Sequence, residues 1–442
     1  MSPPASAVNR RLRVFDDGAA VFDPVTWQTH LLSPDGLALL DELDGIAAEG
    51  ARGPAAMIAQ LLRDDASGAG QAAPPVPDLI PRLQGLAELA WHRRVRAPGQ
   101  GQASRRPSRP DPGPAPAFRP VGDPAAPGGA APNAGPRRTL GAEDAAHRLQ
   151  GDGLVLDLGA MRVRVRSPLA ELPEPLARVY RALPPPEEPG FVDCEVELLP
   201  TAGPRRVWRP GVRFLADGTE PFEPMPAGLA LPQLEWGLNW VFAHLFTRHW
   251  LLHAGTLDWH GAGLLLVAAP GSGKSTLTAA LSLAGARLLS DEFGVLRLSD
   301  RRLLPITKPV ALKNAAIALI ARRSPQAVLG PVFHKTHKGD VAHLAVPAEA
   351  AARRHESVAP AVVVFPTWRA GARAELTEVR PARAIAEFAA NSFNYGVLGE
   401  AGFEAACALA ADAGCWRLTF GELDDALALL EPLCRARGQR RV

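Results

Sequence analysis

The sequence predicts an α/β fold, and three observations carry the prediction. Leu264-Leu265-Leu266-Val267 is a short apolar run that ends in a Pro/Gly-rich turn and then enters a helix-forming segment over 277–283. Ala286-Arg287-Leu288-Leu289-Ser290 follows that helix directly and ends on two carboxylates, Asp291-Glu292. Residues 362–365 and 416–420 repeat the pattern of a buried strand, with helical spacing over 381–393, 403–409 and 423–433 around them. Short apolar runs alternating with amphipathic segments are what a sheet covered by helices requires.

The strand, turn and helix over 264–283 are the parts of a phosphate-binding loop. Ala268, Ala269, Pro270, Gly271, Ser272, Gly273, Lys274, Ser275 and Thr276 make up the loop and the first helical positions. Glycines let successive backbone N–H groups turn inward around an anion. Lys274 can reach β- and γ-phosphates, and the Ser275 hydroxyl can ligate Mg²⁺. The expected ligand is a nucleoside triphosphate with Mg²⁺. An acid at the end of the next strand, Asp291 with Glu292, is placed for the metal or as a base.

With 442 residues the chain has room for two or three domains, and 47% hydrophobic with 21% charged residues suits a folded protein. A net charge of +2 argues neither for nor against nucleic acid, and no nucleic-acid partner is expected. There are 43 Arg but only five Lys, all between Lys274 and Lys338. An ammonium is a compact charge suited to phosphate, so Lys313, Lys335 and Lys338 are candidates for phosphate or acceptor contacts. The four cysteines lack metal-ligand spacing, as expected of free thiols in a reducing cytoplasm. No apolar run approaches 18 residues, so no membrane partner is expected.

In chain order, residues 1–96 read as a small β-then-α domain. Short strands occur near Leu12, Val21 and Leu31, a helix starts at Ser33-Pro34 with Ser33 as N-cap, and two more helices carry Met57, Ile58, Leu61, Leu62 and Leu79, Ile80, Leu83, Leu86, Leu89. Residues 97–138 read as a disordered linker, with 11 Pro and seven Gly between Pro98 and Pro136. Residues 139–230 alternate with period two, a β-rich subdomain in which Val207-Trp208 belongs to the last strand. The 231–442 domain opens with an amphipathic helix over 231–250 leading to His253, and carries the loop. The segment 333–340 reads as a polar loop holding Lys335 and Lys338, and Asn391, Asn394 and Tyr395 as a turn near the site.

Val21-Phe22-Asp23, the run Thr29-His30-Leu31-Leu32-Ser33-Pro34 and the spacing Leu83, Leu86, Leu89 make residues 1–96 resemble the PqqD-like peptide chaperones, winged-helix-like modules of peptide-modification systems. That resemblance implies a peptide or small protein partner, taken up by strand addition at an exposed edge. His253, the loop through Lys274, and Arg287-Leu288-Leu289-Ser290-Asp291-Glu292, with Glu235-Trp236-Gly237-Leu238-Asn239-Trp240 ahead of them, resemble HPr serine kinase/phosphorylase over 139–442. The HPr-kinase-related group is the closer match. The resemblance implies a P-loop kinase of the phosphoenolpyruvate-carboxykinase-like type, moving the γ-phosphoryl of ATP to a peptide or protein serine. It implies Asp291 as general base, His253 beside it, Lys274 on the phosphates, and Ser275 with Asp291 or Glu292 on Mg²⁺. Ala254 stands where the family has Gly, Glu292 where it has a second Asp, and no Glu-Ile-Arg-Gly segment follows. A nucleotide-switched peptide chaperone and a small-molecule hydroxyl kinase are the other readings, and a homo-oligomer is compatible with all three.

Overall fold

The computed structural model describes residues 12–23, 26, 28–48, 53, 54, 56, 57, 84–90, 92, 139–187, 190–202 and 210–439. The linker over 97–138, the positions Ile58, Leu61, Leu62, Leu79, Ile80 and Leu83, and Val207-Trp208 lie outside these residues. The chain forms two compact units, Met1–Asp41 with Thr139–Val442, and Glu42–Arg138. In the second, residues 84–90 are helical.

The first unit opens with an antiparallel sheet, β1 (Leu12–Phe15), β2 (Gly18–Asp23) and β3 (Gln28–Leu32), in that order. Helix α1 (Pro34–Ala48) starts as its sequence dictates. The Ser33 hydroxyl accepts the Gly36 N–H at 3.1 Å, satisfying a donor that the first turn leaves free.

A mixed five-stranded sheet follows the expected β-rich segment. Its elements are α2 (Ala142–Gln150), β4 (Leu154–Asp157), β5 (Arg162–Arg166), α3 (Pro173–Tyr180), β6 (Cys194–Pro200), β7 (Gly211–Ala216) and β8 (Met225–Pro226), with strands ordered as in sequence. Leu154, Leu156, Val163, Val165, Val196 and Phe214 share a core with α4 (Ala230–Leu245). That helix stops short of the expected residue 250. Phe246 leaves the helical conformation at ψ 50, and β9 (His249–Trp259) begins three residues later. Trp250 and Leu251 are fully buried as strand residues, so sheet packing overrides helical periodicity here.

The main sheet is built from β9, β10 (Ala262–Val267), then, after α5 (Lys274–Leu283), β11 (Arg287–Ser290), β12 (Phe293–Arg297) and β13 (Leu303–Leu304). Next come β14 (Val310–Lys313), α6 (Ala315–Arg323), β15 (Phe333–Thr336), β16 (Gly339–Leu344) and α7 (Ala348–Ala352). The chain closes with β17 (Pro360–Trp368), β18 (Glu375–Glu378), α8 (Pro381–Ala390), α9 (Tyr395–Leu398), α10 (Glu400–Asp412), β19 (Gly414–Phe420) and α11 (Leu423–Gln439). The large sheet runs β13-β12-β9-β10-β17-β19-β18, with β11 pairing a second stretch of β9. The pairs β10–β17 and β17–β19 are parallel.

Both faces of this sheet are covered, which is why β10 and residues 360–366 of β17 are apolar throughout. Leu264, Leu266, Val362 and Val364 pack with Leu277 and Leu281 of α5 and Leu430 of α11. Leu265, Val267, Val363 and Phe365 pack with Phe388 of α8 and Phe403 of α10. Ala20 and Phe22 of β2 enter this second core, and the Phe22 and Phe403 rings stack at 5.8 Å. Arg13 pairs with Glu404 at 2.5 Å, and Thr29 Oγ1 lies 2.6 Å from the Tyr395 hydroxyl. The three-stranded sheet therefore packs on the α8–α10 layer. Among the described residues no helix is long and apolar enough to cross a membrane.

Candidate active site

Strand β10 delivers Ala268 to Gly273 to the start of α5, the strand–loop–helix order read from the sequence. Gly271 and Gly273 have φ of 90° and 87°, a left-handed conformation that costs little only without a Cβ. Gly273 is the N-cap, so the loop turns directly into the N-terminus of α5. A Cβ on Gly255 would lie 2.2 Å from Thr278 Oγ1, so this glycine lets α5 sit against β9.

Strand β9 is antiparallel to both β10 and β11, which therefore run the same way and end at the same edge. This register brings the acids to the loop. Lys274, 5% exposed, donates from Nζ to the Asp291 carbonyl at 2.8 Å. Ala254 pairs with Val267, and His253 pairs with Phe293 just beyond the acids. His253 Nε2 lies 3.4 Å from Glu292 Oε1. Asp291 and Glu292 thus lie beside Lys274, and the imidazole expected beside Asp291 contacts Glu292 instead, because its strand pairs one residue past the acids.

The two acids differ in character. Asp291 is buried, and its Oδ1 has no hydrogen-bond partner. Burial raises its carboxyl above the usual range, against the pull of Lys274, while Glu292 adds to the rise and the Ser275 hydroxyl opposes it. Burial also works against the charge of Glu292, but His253, Lys274 and Lys313 outweigh it and hold this carboxyl down at about 2.

A cleft in front of the acids is lined by Lys313, Lys338, Lys308, Glu235, Trp236 and His343 among others. Residues 333–340, expected as a loop, form the β15–β16 hairpin, with Lys335 at φ 57° inside β15, where the register with β16 shifts. The Lys338 ammonium sits 5.1 Å from the Trp236 ring centre and the His337 ring 4.4 Å from it. Burial and repulsion from Lys313 lower the Lys338 pKa. Lys335 is exposed and does not line the cleft. Asn314, at φ 50°, makes two hydrogen bonds to the hairpin, its backbone N–H donating to the Asp340 carbonyl at 2.9 Å and its side-chain Oδ1 accepting from the Asp340 N–H at 3.0 Å. The hairpin is thereby held next to Lys313.

The wall of the cleft holds a buried pair that motif reading missed. Lys308 Nζ is 3.3 Å from Glu235 Oε2 and donates to Asn239 Oδ1 at 2.6 Å, and the Tyr180 hydroxyl donates to Glu235 Oε1 at 2.6 Å. Burial and the neighbouring Glu235 push the Tyr180 hydroxyl well above its ordinary pKa. The confinement of lysine to 274–338 was the signal for Lys308. The Asn391–Tyr395 turn does border the site. The His253 N–H donates to the Asn391 carbonyl at 2.7 Å, and the Phe393 ring lies 5.7 Å from the imidazole.

No group of three His, Cys, Asp or Glu side chains suited to a metal occurs among the described residues. Mg²⁺ beside a nucleotide needs only one or two carboxylates, since phosphates and water complete its shell. Ser275, Asp291 with its unpartnered Oδ1, and Glu292 fit that requirement. The four cysteines are all free and buried, their thiols pushed up to about 12 by burial. No protein-family model and no curated protein matches the chain.

Proposed function

We propose that the chain is an ATP-dependent kinase, similar to the HPr-kinase-related group, that phosphorylates a serine hydroxyl of a peptide or small protein. The observation that carries the reading is a buried Lys274 hydrogen-bonded to the strand end that bears Asp291. In this reading Lys274 binds the β- and γ-phosphates, and Lys313 and Lys338 hold charge on the acceptor side of the cleft. Asp291, desolvated and above its usual pKa, takes the serine proton. The serine oxygen then bonds to the γ-phosphorus as the bond to the bridging oxygen breaks and ADP leaves. A base so placed contributes about 10²–10⁴-fold. Glu292, kept ionised beside His253, orients the metal side. Ser275 with Asp291 or Glu292 would hold Mg²⁺, which would supply charge neutralisation on the phosphates. Residues 1–96 bring the peptide, in a cytoplasmic setting.

The test is labelled ATP with serine-containing peptides. Transfer should require divalent metal and vanish in Lys274→Ala; transfer that survives this substitution overturns the reading.

A further inference from the structure

The parallel strands β10, β17 and β19 end at one edge of the sheet, and β10 feeds the phosphate loop. Trp368 is the last residue of β17 and Phe420 the last of β19. In open α/β sheets, ligands sit outside the carboxyl ends of the strands. Here a pocket of about 600 Å³ opens beside the loop, separate from the β15–β16 hairpin cleft. Gly271, Gly273 and Thr276 of the loop line one wall, and Leu319, Trp368 and Phe420 line the others. The cleft with Asp291 shares none of these residues.

Trp368 is held at two points and still open. Its backbone N–H donates to the Ser272 carbonyl at 3.1 Å, and its indole N–H donates to the Gly421 carbonyl at 3.0 Å. A Cβ on Gly273 would meet the Trp368 Cβ at 3.0 Å, so the indole is set directly against the loop. Even so, 51% of the residue is exposed. A large ring that hydrogen bonds fix in place and that stays half open to solvent is a preorganised stacking surface.

We propose that this pocket takes the base and ribose of the nucleoside triphosphate, with the base stacked on Trp368 and its other surroundings supplied by Leu319 and Phe420. The proposal rests on the reading of the loop as a triphosphate site. It divides the molecule into a nucleoside side, at Trp368, and an acceptor side, at Asp291, with the loop between them. The ligand class is set by continuity with the loop, since a group bonded to an α-phosphate near Thr276 enters this pocket.

Calorimetry on the full chain, with ATP and inorganic tripolyphosphate as probes, separates this proposal from the reading beneath it. ATP should bind about tenfold to a hundredfold more tightly than tripolyphosphate, the range expected for a stacked base. Trp368→Ala should abolish that difference and leave tripolyphosphate binding unchanged, while Trp368→Phe should retain most of it. Leu319→Gln, at an exposed helix position, adds no charge, should weaken ATP alone and serves if Trp368→Ala fails to fold. Equal binding of the two probes to the wild type, or ATP binding untouched by these variants, overturns the base pocket while the phosphate reading stands. Failure of both probes to bind the wild type sinks both.

Discussion

Asp157 and Asp291 are both buried at the ends of strands, yet their surroundings are opposite. Asp157, at the end of β4, accepts from the Gly159 N–H at 3.2 Å and meets Arg162, Arg354 and His355 at 3.3, 3.1 and 3.2 Å. Burial works against its charge, but His355 and Arg354 prevail and hold the carboxyl well below the usual range. Asp291 has the Lys274 ammonium near, but that ammonium donates to its carbonyl, and Oδ1 is left without a partner. Burial then moves its pKa the other way. A carboxylate whose lone pairs are all engaged ties segments together. One kept dry with an oxygen to spare is destabilising by itself, and it persists where a ligand or a proton completes it.

Exchanging each aspartate for asparagine should break the comparison most sharply. Asp291→Asn should lower the transfer rate by about 10²–10⁴-fold, because no other carboxylate occupies its place. Its melting temperature should change little, since the amide relieves the desolvation that raises the Asp291 carboxyl while Lys274 keeps its bond to the carbonyl of residue 291. Steady-state kinetics with a thermal melt check both halves; near-wild-type turnover would remove Asp291 as the base.

Asp157→Asn should do the reverse. Losing the carboxylate that three partly exposed cations bond to costs about 1.5–3 kcal/mol, while turnover per folded molecule stays unchanged. The pH dependence follows from the depressed pKa. The contribution of Asp157 is fully present above the unfolded carboxylate value, near 3.9, and is lost as pH falls below it. Denaturant titrations between about pH 6 and pH 3 should therefore show wild type losing stability faster than Asp157→Asn. A variant that melts like wild type but loses activity would mean that Asp157 is not the structural member of the pair.

These two sites were not equally legible in the sequence. The phosphate loop was, because all its information is local: an apolar strand, glycines where φ is positive, and a helix opening on Lys274. Asp291 and Glu292 followed from their place after the next strand. Asp157 gave no signal, since its cations Arg354 and His355 lie 197 and 198 residues away, among 43 arginines. The Lys308–Glu235 pair and the placing of Trp368 against Ser272 likewise depend on sheet order. The α4 boundary misled for a related reason, because Trp250 fits a helical period and is buried in β9 instead. Periodicity reports which residues are apolar and not which partner covers them.

The smallest expected effect concerns the cations around Asp291. At Asp157 the surrounding cations bond to the acid itself. At Asp291 the cleft lysines, Lys313 and Lys338, are nearer Glu292, whose charge they favour. If Lys338 serves substrate phosphate and not the fold, Lys338→Met should keep the stem beside Trp236 and remove only charge. Stability should then change by less than about 1 kcal/mol, the scale of an exposed cation–π contact. The transfer efficiency, kcat/KM, should fall about fivefold, as for a partly screened charge near the surface. Lys335→Met is the control: Lys335 shares the same hairpin but does not line the cleft, so its loss should leave transfer unchanged. Equal losses in the two variants would mean that the hairpin contributes only diffuse positive charge, and the contrast would then rest on the aspartates alone.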